Sequence, residues 1–211
     1  MKKVIIIICC LSFAINSVGQ VYTEGTHIVS SGHSVPNLLS LRFNIINDQV
    51  SETQRPLGPI FLKYDYVVTD VISIGMQFAY ARTDIEYGIQ YVDGNNQMVA
   101  GREGCTISNF SAYSNVDFYW LRRSRIALYS GVGIGYNKFT YSEFSDNPNF
   151  VTEDFGRNIR NAIPIGAQLT AFGLKVDIAN GFGAYSNISI GKSIFELGLC
   201  YGFGGNRSNN R

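Results

Sequence analysis

The chain has no long hydrophobic run past its N-terminus, few charges, and almost no histidine or cysteine. Each scarcity removes a class of protein. No later segment approaches the roughly eighteen consecutive apolar residues that a spanning helix needs, so helical membrane spans are excluded. Charged residues make up only 16% of the 211, and basic and acidic ones nearly cancel at a formal +1. That balance gives nucleic acid and anionic membrane surfaces nothing to attract. His27 and His33 are the only histidines, and both precede the first proline, Pro36. A hydrolytic centre needs a base beside its nucleophile, and no Ser-His or Asp-His constellation can be assembled from these two. Neither a catalytic residue, nor a cofactor, nor a metal ligand can be assigned. Glu143, Asp146, Glu153 and Asp154 lack the ordered spacing of a calcium loop and read as a solvated face. Gly131-Val-Gly-Ile-Gly135 imitates a nucleotide fingerprint, but Tyr136 stands where a glycine is needed and no helix follows.

What is present starts with a leader. Lys2 and Lys3 precede Val4 to Ile15, apolar except for Ser12, and Ser17-Val18-Gly19 supplies small residues for cleavage. This pattern predicts a secretory signal peptide over residues 1–19 and a mature domain over 20–211. Cys9 and Cys10 lie within the leader's apolar run, too early in it for a lipoprotein anchor. Cleavage leaves Cys105 and Cys200, which the strand map below puts near opposite ends of the domain, so no disulfide is expected.

The mature part is rich in aromatics and glycine, with 13 Tyr, 14 Phe and 22 Gly in the whole sequence. Its last stretch sets the pattern. Phe195, Leu197, Leu199, Tyr201 and Phe203 are large and apolar, while Glu196, Gly198, Cys200 and Gly202 between them are small or polar. A period of two places the sets on opposite faces of one strand. Taken alone, that strand fits a soluble sandwich and a membrane barrel equally well.

The rest of the chain separates them. Ile60 to Val68 and Ile72 to Tyr80 alternate around a tight turn at Thr69-Asp70-Val71. Phe110 to Trp120 and Ile126 to Tyr136 alternate around Arg122-Arg123-Ser124-Arg125, a turn expected to be hydrated. Ile163 to Ala171 and Phe182 to Ile190 flank a turn near Asp177 to Gly181. Short turns on one side thus alternate with long polar segments on the other, near 82–107 and 140–161, which is how outer-membrane barrels sort their connections. Seven strands are clear, and closure demands an even number. Thr26 to Val35 and Leu39 to Ile45 compete for the first place.

These features predict an all-β fold: an eight-stranded antiparallel up-and-down transmembrane β-barrel with short periplasmic turns and longer external loops. The strands fall roughly at 25–35, 59–68, 71–82, 108–121, 125–139, 162–174, 182–190 and 194–203. On this map Leu38 to Leu57 is the first external loop. Past Tyr80 the apolar parity changes, to Ile85, Tyr87, Ile89 and Tyr91, before a turn at Asp93-Gly94-Asn95-Asn96. Such a change is costly against lipid and cheap in water, so this hairpin should protrude as a ribbon.

The inward set includes Lys63, Asp65, Gln77, Asn115, Asp117, Tyr129, Gln168 and Glu196. A barrel of eight strands is only wide enough for its own side chains, which favours a self-satisfied plug over a proton or solute path. Glycines at 131, 133, 135, 183 and 198 leave room for larger neighbours. Lys63, Asp65, Asp117 and Glu196 form the expected polar network.

Glu196, Gly198, Tyr201 and Phe203 place a polar residue, a glycine two on, and aromatics three and five beyond it. This resembles the C-terminal β-signal of Gram-negative outer-membrane proteins, departing from it in the tail Gly204 to Arg211. The start Tyr22-Thr23-Glu24-Gly25-Thr26, followed by Gly32, resembles the opening strand of small barrels and favours 25–35 as the first strand. The whole mature chain is similar to the small OmpA/OmpX-like outer-membrane β-barrel proteins. The resemblance implies an outer-membrane location, recognition of the last strand by the barrel-assembly machinery, and contact with outer-membrane lipid. The expected function is non-enzymatic: stabilising the envelope or presenting the loops, above all 82–107, to an extracellular partner. A narrow channel is the alternative. A lipid-modifying enzyme would require His27 or His33 at the outer rim beside a Ser or Asp.

Overall fold

The computed structural model describes residues 22–35, 52–94, 97–123, 125–149, 164–191 and 193–205. The leader at 1–19, the competing segment Leu39 to Ile45, and Glu153 and Asp154 lie outside the described residues. Among those described, eight strands run in chain order: β1 Thr26–Val35, β2 Glu52–Val67, β3 Ile72–Val92, β4 Met98–Arg122, β5 Ile126–Ser145, β6 Ile165–Ala179, β7 Phe182–Ile190 and β8 Phe195–Gly204. Each pairs antiparallel with its neighbours, and β8 returns to β1 to close the barrel. Closure removes every strand edge within the bilayer, as a hydrocarbon surrounding requires.

The faces sort as a membrane barrel's must. Leu62, Ile74, Met76, Val132, Ile134, Leu197 and Leu199 are exposed on the outside. Lys63, Asp65, Gln77, Asn115, Asp117, Gln168 and Glu196 are buried within. Aromatics rim the belt: Tyr80, Phe110 and Tyr136 at the end with the long connections, and Tyr66, Trp120, Phe182, Tyr201 and Phe203 at the other. An apolar exterior around a polar lumen is stable only in lipid. The chain is a β-barrel of outer-membrane type.

Several strands outrun the sequence map. β2 starts at Glu52 and not near 59, so most of the expected first loop's last third is strand. β3 and β4 pair without a break from Ile72↔Phe118 up to Val92↔Met98, so the segment 82–107 is a ribbon continuous with the wall. β5 also continues, to Ser145 opposite Glu103, which shortens the loop expected from 140. The reason lies in the surroundings. Above the bilayer a wall sheds water by turning its apolar side inward, and Ile85 and Ile107 are buried there. The polar set Arg82, Asp84 and Glu86 takes the outside. Between β3 and β4 no register shift is needed, because the residues change and the backbone does not.

At the opposite end, β6 runs on to Ala179. The turn is just Asn180 (φ 52°) and Gly181 (φ 91°) between Ala179 and Phe182. Two left-handed residues make the tight hairpin turn that asparagine and glycine favour.

Candidate functional site

The barrel interior holds a charge-balanced cluster built from three strands. Lys63 and Asp65 share the inner face of β2, two residues apart. Lys63 Nζ is 3.2 Å from Asp65 Oδ1 and also donates to Asp117 Oδ2 on β4. Lys175 Nζ on β6 donates to Asp65 Oδ2 and to the Tyr119 hydroxyl, at 3.1 Å each. Two ammoniums against two carboxylates leave no net charge in the low-dielectric lumen. Both ammoniums lie over the Tyr129 ring, Lys175 at 4.7 Å and Lys63 at 5.6 Å from its centroid.

Glu196 is linked to this cluster through Asn187 and Tyr129. It accepts from Asn187 Nδ2 at 3.0 Å and from Gln168 Nε2 at 3.2 Å. Asn187 in turn accepts from the Tyr129 hydroxyl at 2.5 Å. One chain of polar contacts therefore joins Glu196 to the ring beneath which the lysines gather. Of the four network residues expected from sequence, Lys63, Asp65 and Asp117 are in ion-pair contact and Glu196 is one relay away.

Lys175 was missing from that expectation. Continuing the odd outward parity of β6 past Ala171 would aim Lys175 at lipid. The structure instead has a bulge between Thr170 and Phe172 that leaves Ala171 and Phe172 both outside and turns Gly173 and Lys175 in. The signal was available in Phe172, Leu174, Val176 and Ile178, an apolar series on the even positions.

Glycines make the space. Gly131 faces Asp117, Gly133 faces Asn115, and the Tyr129 ring lies against Gly173. At the closing seam Gly32 pairs with Gly198, and a Cβ on either would strike the opposing backbone. The Tyr185 ring lies beside Gly198 and packs edge-on to Phe61 at 5.8 Å.

The periplasmic end is floored. Arg122, expected in a hydrated turn, folds under the barrel: Nη1 donates to Tyr22 O at 2.8 Å and Thr69 O at 3.2 Å. Its guanidinium lies 3.8 Å from the Tyr119 ring centroid. Stacking on the ring and the two carbonyls on Nη1 replace part of the hydration that a turn at the surface would keep. Tyr22 is buried beside Cys200, its hydroxyl 3.4 Å from Sγ, and burial pushes its phenol well above the ordinary range. Cys105 is far above, on the ribbon part of β4, and neither it nor Cys200 is in a disulfide.

The remaining expected residues take no part in this ion-pair cluster. Tyr201 and Phe203 face out at the periplasmic rim and stack on each other, with Phe203 stacked on His27 at 5.3 Å. His27 Nδ1 is 2.7 Å from the Tyr64 hydroxyl. His33 faces out near Gly58. Glu143 and Asp146 do not converge: Glu143 points inward on β5, while Asp146 accepts from the Arg102 amide at 2.9 Å. Gly131 to Gly135 lie within β5, not in a loop.

Above the bilayer, β2, β3, β4 and β5 continue as a sheet. Its outer face is an alternating charge ladder in which Arg82 pairs with Asp84 at 2.9 Å and Arg102 with Glu86 at 3.2 Å. Thr106 donates to Asp84 at 2.6 Å, and Phe144 covers Gly104. On the inner face Tyr141 meets Glu143 and Cys105, and burial with these neighbours raises its phenol pKa well above normal.

No family model and no curated protein matches the sequence. Solved structures resembling the fold include the N-terminal β-barrel domain of Pseudomonas aeruginosa OprF, at 12% identity and a TM-score of 0.43, covering 86% of this chain and 98% of that one. Another is Ail, the attachment invasion locus protein of Yersinia pestis, in complex with the heparin analogue sucrose octasulfate. It gives 15% identity and 0.44, covering 86% and 100%. Pseudomonas aeruginosa OprG gives 10% and 0.44, covering 87% and 98%. The eight-strand closure itself stands on this chain's own pairing.

Proposed function

We propose that this protein is a non-enzymatic resident of the outer membrane, a closed barrel that anchors the β2–β5 sheet and presents it to a partner outside the cell. One contrast carries the reading. The lumen is filled by Lys63, Asp65, Asp117 and Lys175 and floored by Arg122 and Tyr22, while β3 and β4 run to 21 and 25 residues. A tilted strand crosses the bilayer in about 9–11 residues, so roughly ten residues of β3 and roughly fifteen of β4 lie beyond one crossing, on the order of 30 Å of strand or more. A chain that invested only in the envelope would have no use for this length. Outer-membrane lipid is the solvent of the belt, and the assembly machinery is the partner of β8 before closure.

The test pairs two measurements on the intact chain and on one in which Glu86 to Arg102 is replaced by an Asn-Gly turn. Intact protein in planar bilayers should be electrically silent. Cells displaying the intact chain should adhere to a surface coated with extracellular-matrix protein, and cells displaying the shortened chain should not. Equal adhesion of the two, with a steady conductance from the intact protein, would replace this reading by a channel. A channel has one observation in its favour: Asn115 Nδ2, Gln168 Oε1, Tyr185 OH and Ser189 Oγ are buried without hydrogen-bond partners, as groups lining internal water would be.

A further inference from the structure

The connection from β7 to β8 closes over one corner of the lumen at its outer end. Gly191 takes φ 149°, and a Cβ there would come 3.0 Å from the Ala167 carbonyl oxygen and 3.3 Å from Gln168 Cα. Glycine lets the chain lie this low over β6. The Ser189 amide bonds the Ile194 carbonyl at 2.9 Å, which sets Ser193, the residue before it, beside Ser189. Asn187, two residues below Ser189 on the inner face of β7, pairs with Glu196 on β8. Gln168 reaches across from β6 to the same carboxylate. Gln168, Ser189, Ser193 and Glu196 thus converge, each 6% exposed or less.

Three of these side chains hold oxygens that meet no donor: Gln168 Oε1, Ser189 Oγ and Ser193 Oγ are buried without hydrogen-bond partners. The fourth is a carboxylate. Gln168 Nε2 is 3.2 Å from Glu196 Oε1, and the two ends of an amide are about 2.3 Å apart, so Gln168 Oε1 lies within roughly 5.5 Å of that oxygen. Two bonds of about 2.4 Å from one hard cation cover most of that range.

The sign of the ligand follows from the lumen's charges. Among the described residues the buried ones are Lys63 and Lys175 against Asp65, Asp117 and Glu196. Water could donate to two of the oxygens but would leave that balance as it is. A single positive charge evens it, and a divalent ion would overshoot it. Among the described residues no three of His, Cys, Asp and Glu come together, so a transition metal has no ligand set here. One carboxylate with neutral oxygens suits a hard cation.

We infer that this outer corner of the lumen is a binding site for one alkali cation, sodium or potassium, held by Glu196, Gln168 Oε1 and the hydroxyls of Ser189 and Ser193. The ion ties β6 to β8, two strands that share no edge in the ring, as Lys175 ties β6 to β2. It enters from outside, because Arg122 and Tyr22 floor the other end and the ion pairs fill the space between. The site lies on β6 to β8, away from the presenting sheet, and stands or falls apart from that reading.

Rubidium is the probe, since its anomalous scattering distinguishes it from water. The intact barrel is crystallised with rubidium chloride in buffer free of sodium and potassium. A single anomalous peak should touch both Glu196 and Gln168 Oε1. In parallel, urea unfolding in detergent is compared in rubidium, sodium and choline chlorides at one ionic strength. An ion that binds only the folded barrel stabilises it by mass action, so the midpoint should be higher in rubidium or sodium than in choline, which is too bulky to enter. Glu196→Gln keeps the side chain's shape and should remove both the peak and the difference between salts. Ser193→Ala, outside the strands, should keep the heat-modifiable fold and raise the rubidium concentration for half the effect roughly tenfold, the worth of one bond to a charged group. Water in place of the ion would overturn the inference. So would midpoints that do not distinguish the salts, or a peak that persists in Glu196→Gln.

Discussion

Lys175 Nζ lies 3.1 Å from Asp65 Oδ2, joining two strands, β6 and β2, that share no edge in the ring. Both side chains are about 1% exposed. Removing the lysine strands a carboxylate that has only Lys63 left to serve two acids. A buried pair broken on one side costs about 3–5 kcal/mol. Lys175→Ala should therefore lower the urea midpoint of the barrel in detergent, and Asp65→Asn should do the same. The double variant should lose less than the two single losses added together. Additivity would show that the two residues are not coupled.

The barrel was legible because lipid imposes its rule on single residues. Ile74, Met76, Phe78 and Tyr80 alternate with Ser73, Gly75, Gln77 and Ala79, and the same alternation repeated along the chain, with short turns and long connections in turn, suits a membrane barrel. Lys63, Asp65 and Asp117 followed from the same parity. Lys175 did not, because a bulge at Ala171 shifts the phase and a strict period of two reads through it. Strand ends were hidden for a related reason. Past Tyr80 the pattern Ile85, Tyr87, Ile89 obeys water's rule and not lipid's, so one continuous β3 looks like two elements. Arg122 escaped because its binding partners are carbonyls of Tyr22 and Thr69, far away in sequence and silent in any pattern.

The inside-out assignment makes a prediction that depends on depth. Val132 is 52% exposed midway between Ile126 and the rim at Tyr136, and Thr140 faces the same way eight residues higher. Lysine at the mid-plane of a barrel costs about 2–4 kcal/mol, falling toward nothing beyond the interface. Val132→Lys should show that loss when folding into liposomes is followed by intrinsic fluorescence, and Thr140→Lys should fold as the parent does. Equal costs would place residue 140 within the bilayer and contradict an aqueous sheet.

The seam predicts a failure of closure. Gly32 faces Gly198, with Tyr185 against the second. A Cβ at 198 has backbone on one side and a ring on the other, and neither yields cheaply. Gly198→Val should lose the unboiled, fast-migrating band on SDS-PAGE, while Gly88→Val, in open space on the ribbon, should keep it.

Tyr22 should make the barrel sensitive to strong alkali. Burial holds its folded pKa far above the ordinary value of 10.0, while the unfolded chain titrates near that value. Below it both states are protonated and no stability is lost. Above it the unfolded state sheds a proton that the folded state keeps, so stability falls with rising pH by up to about 1.4 kcal/mol per unit. Tyr22→Phe removes this contribution, and its unfolding free energy should fall less steeply above pH 10. Parallel curves for parent and variant would mean that Tyr22 ionises freely at the periplasmic floor.

Tyr201 and Phe203 are where assembly and stability can be told apart. In the finished barrel they face lipid, and Phe203 also stacks on His27, which bonds Tyr64. An aromatic contact of this kind is worth about 0.5–1.5 kcal/mol, a small part of a closed barrel's stability. Refolding of Phe203→Leu into detergent should thus stay close to the parent, because leucine keeps the lipid face apolar. If the machinery reads the aromatic before β8 pairs with β1, the same variant should accumulate as unassembled chain in cells. Tyr201→Leu, which keeps the Phe203–His27 stack, should show the cellular defect with equally little change in refolding. Normal assembly of both variants in cells would reduce the aromatics at 201 and 203 to girdle residues and leave β8 without a recognition role.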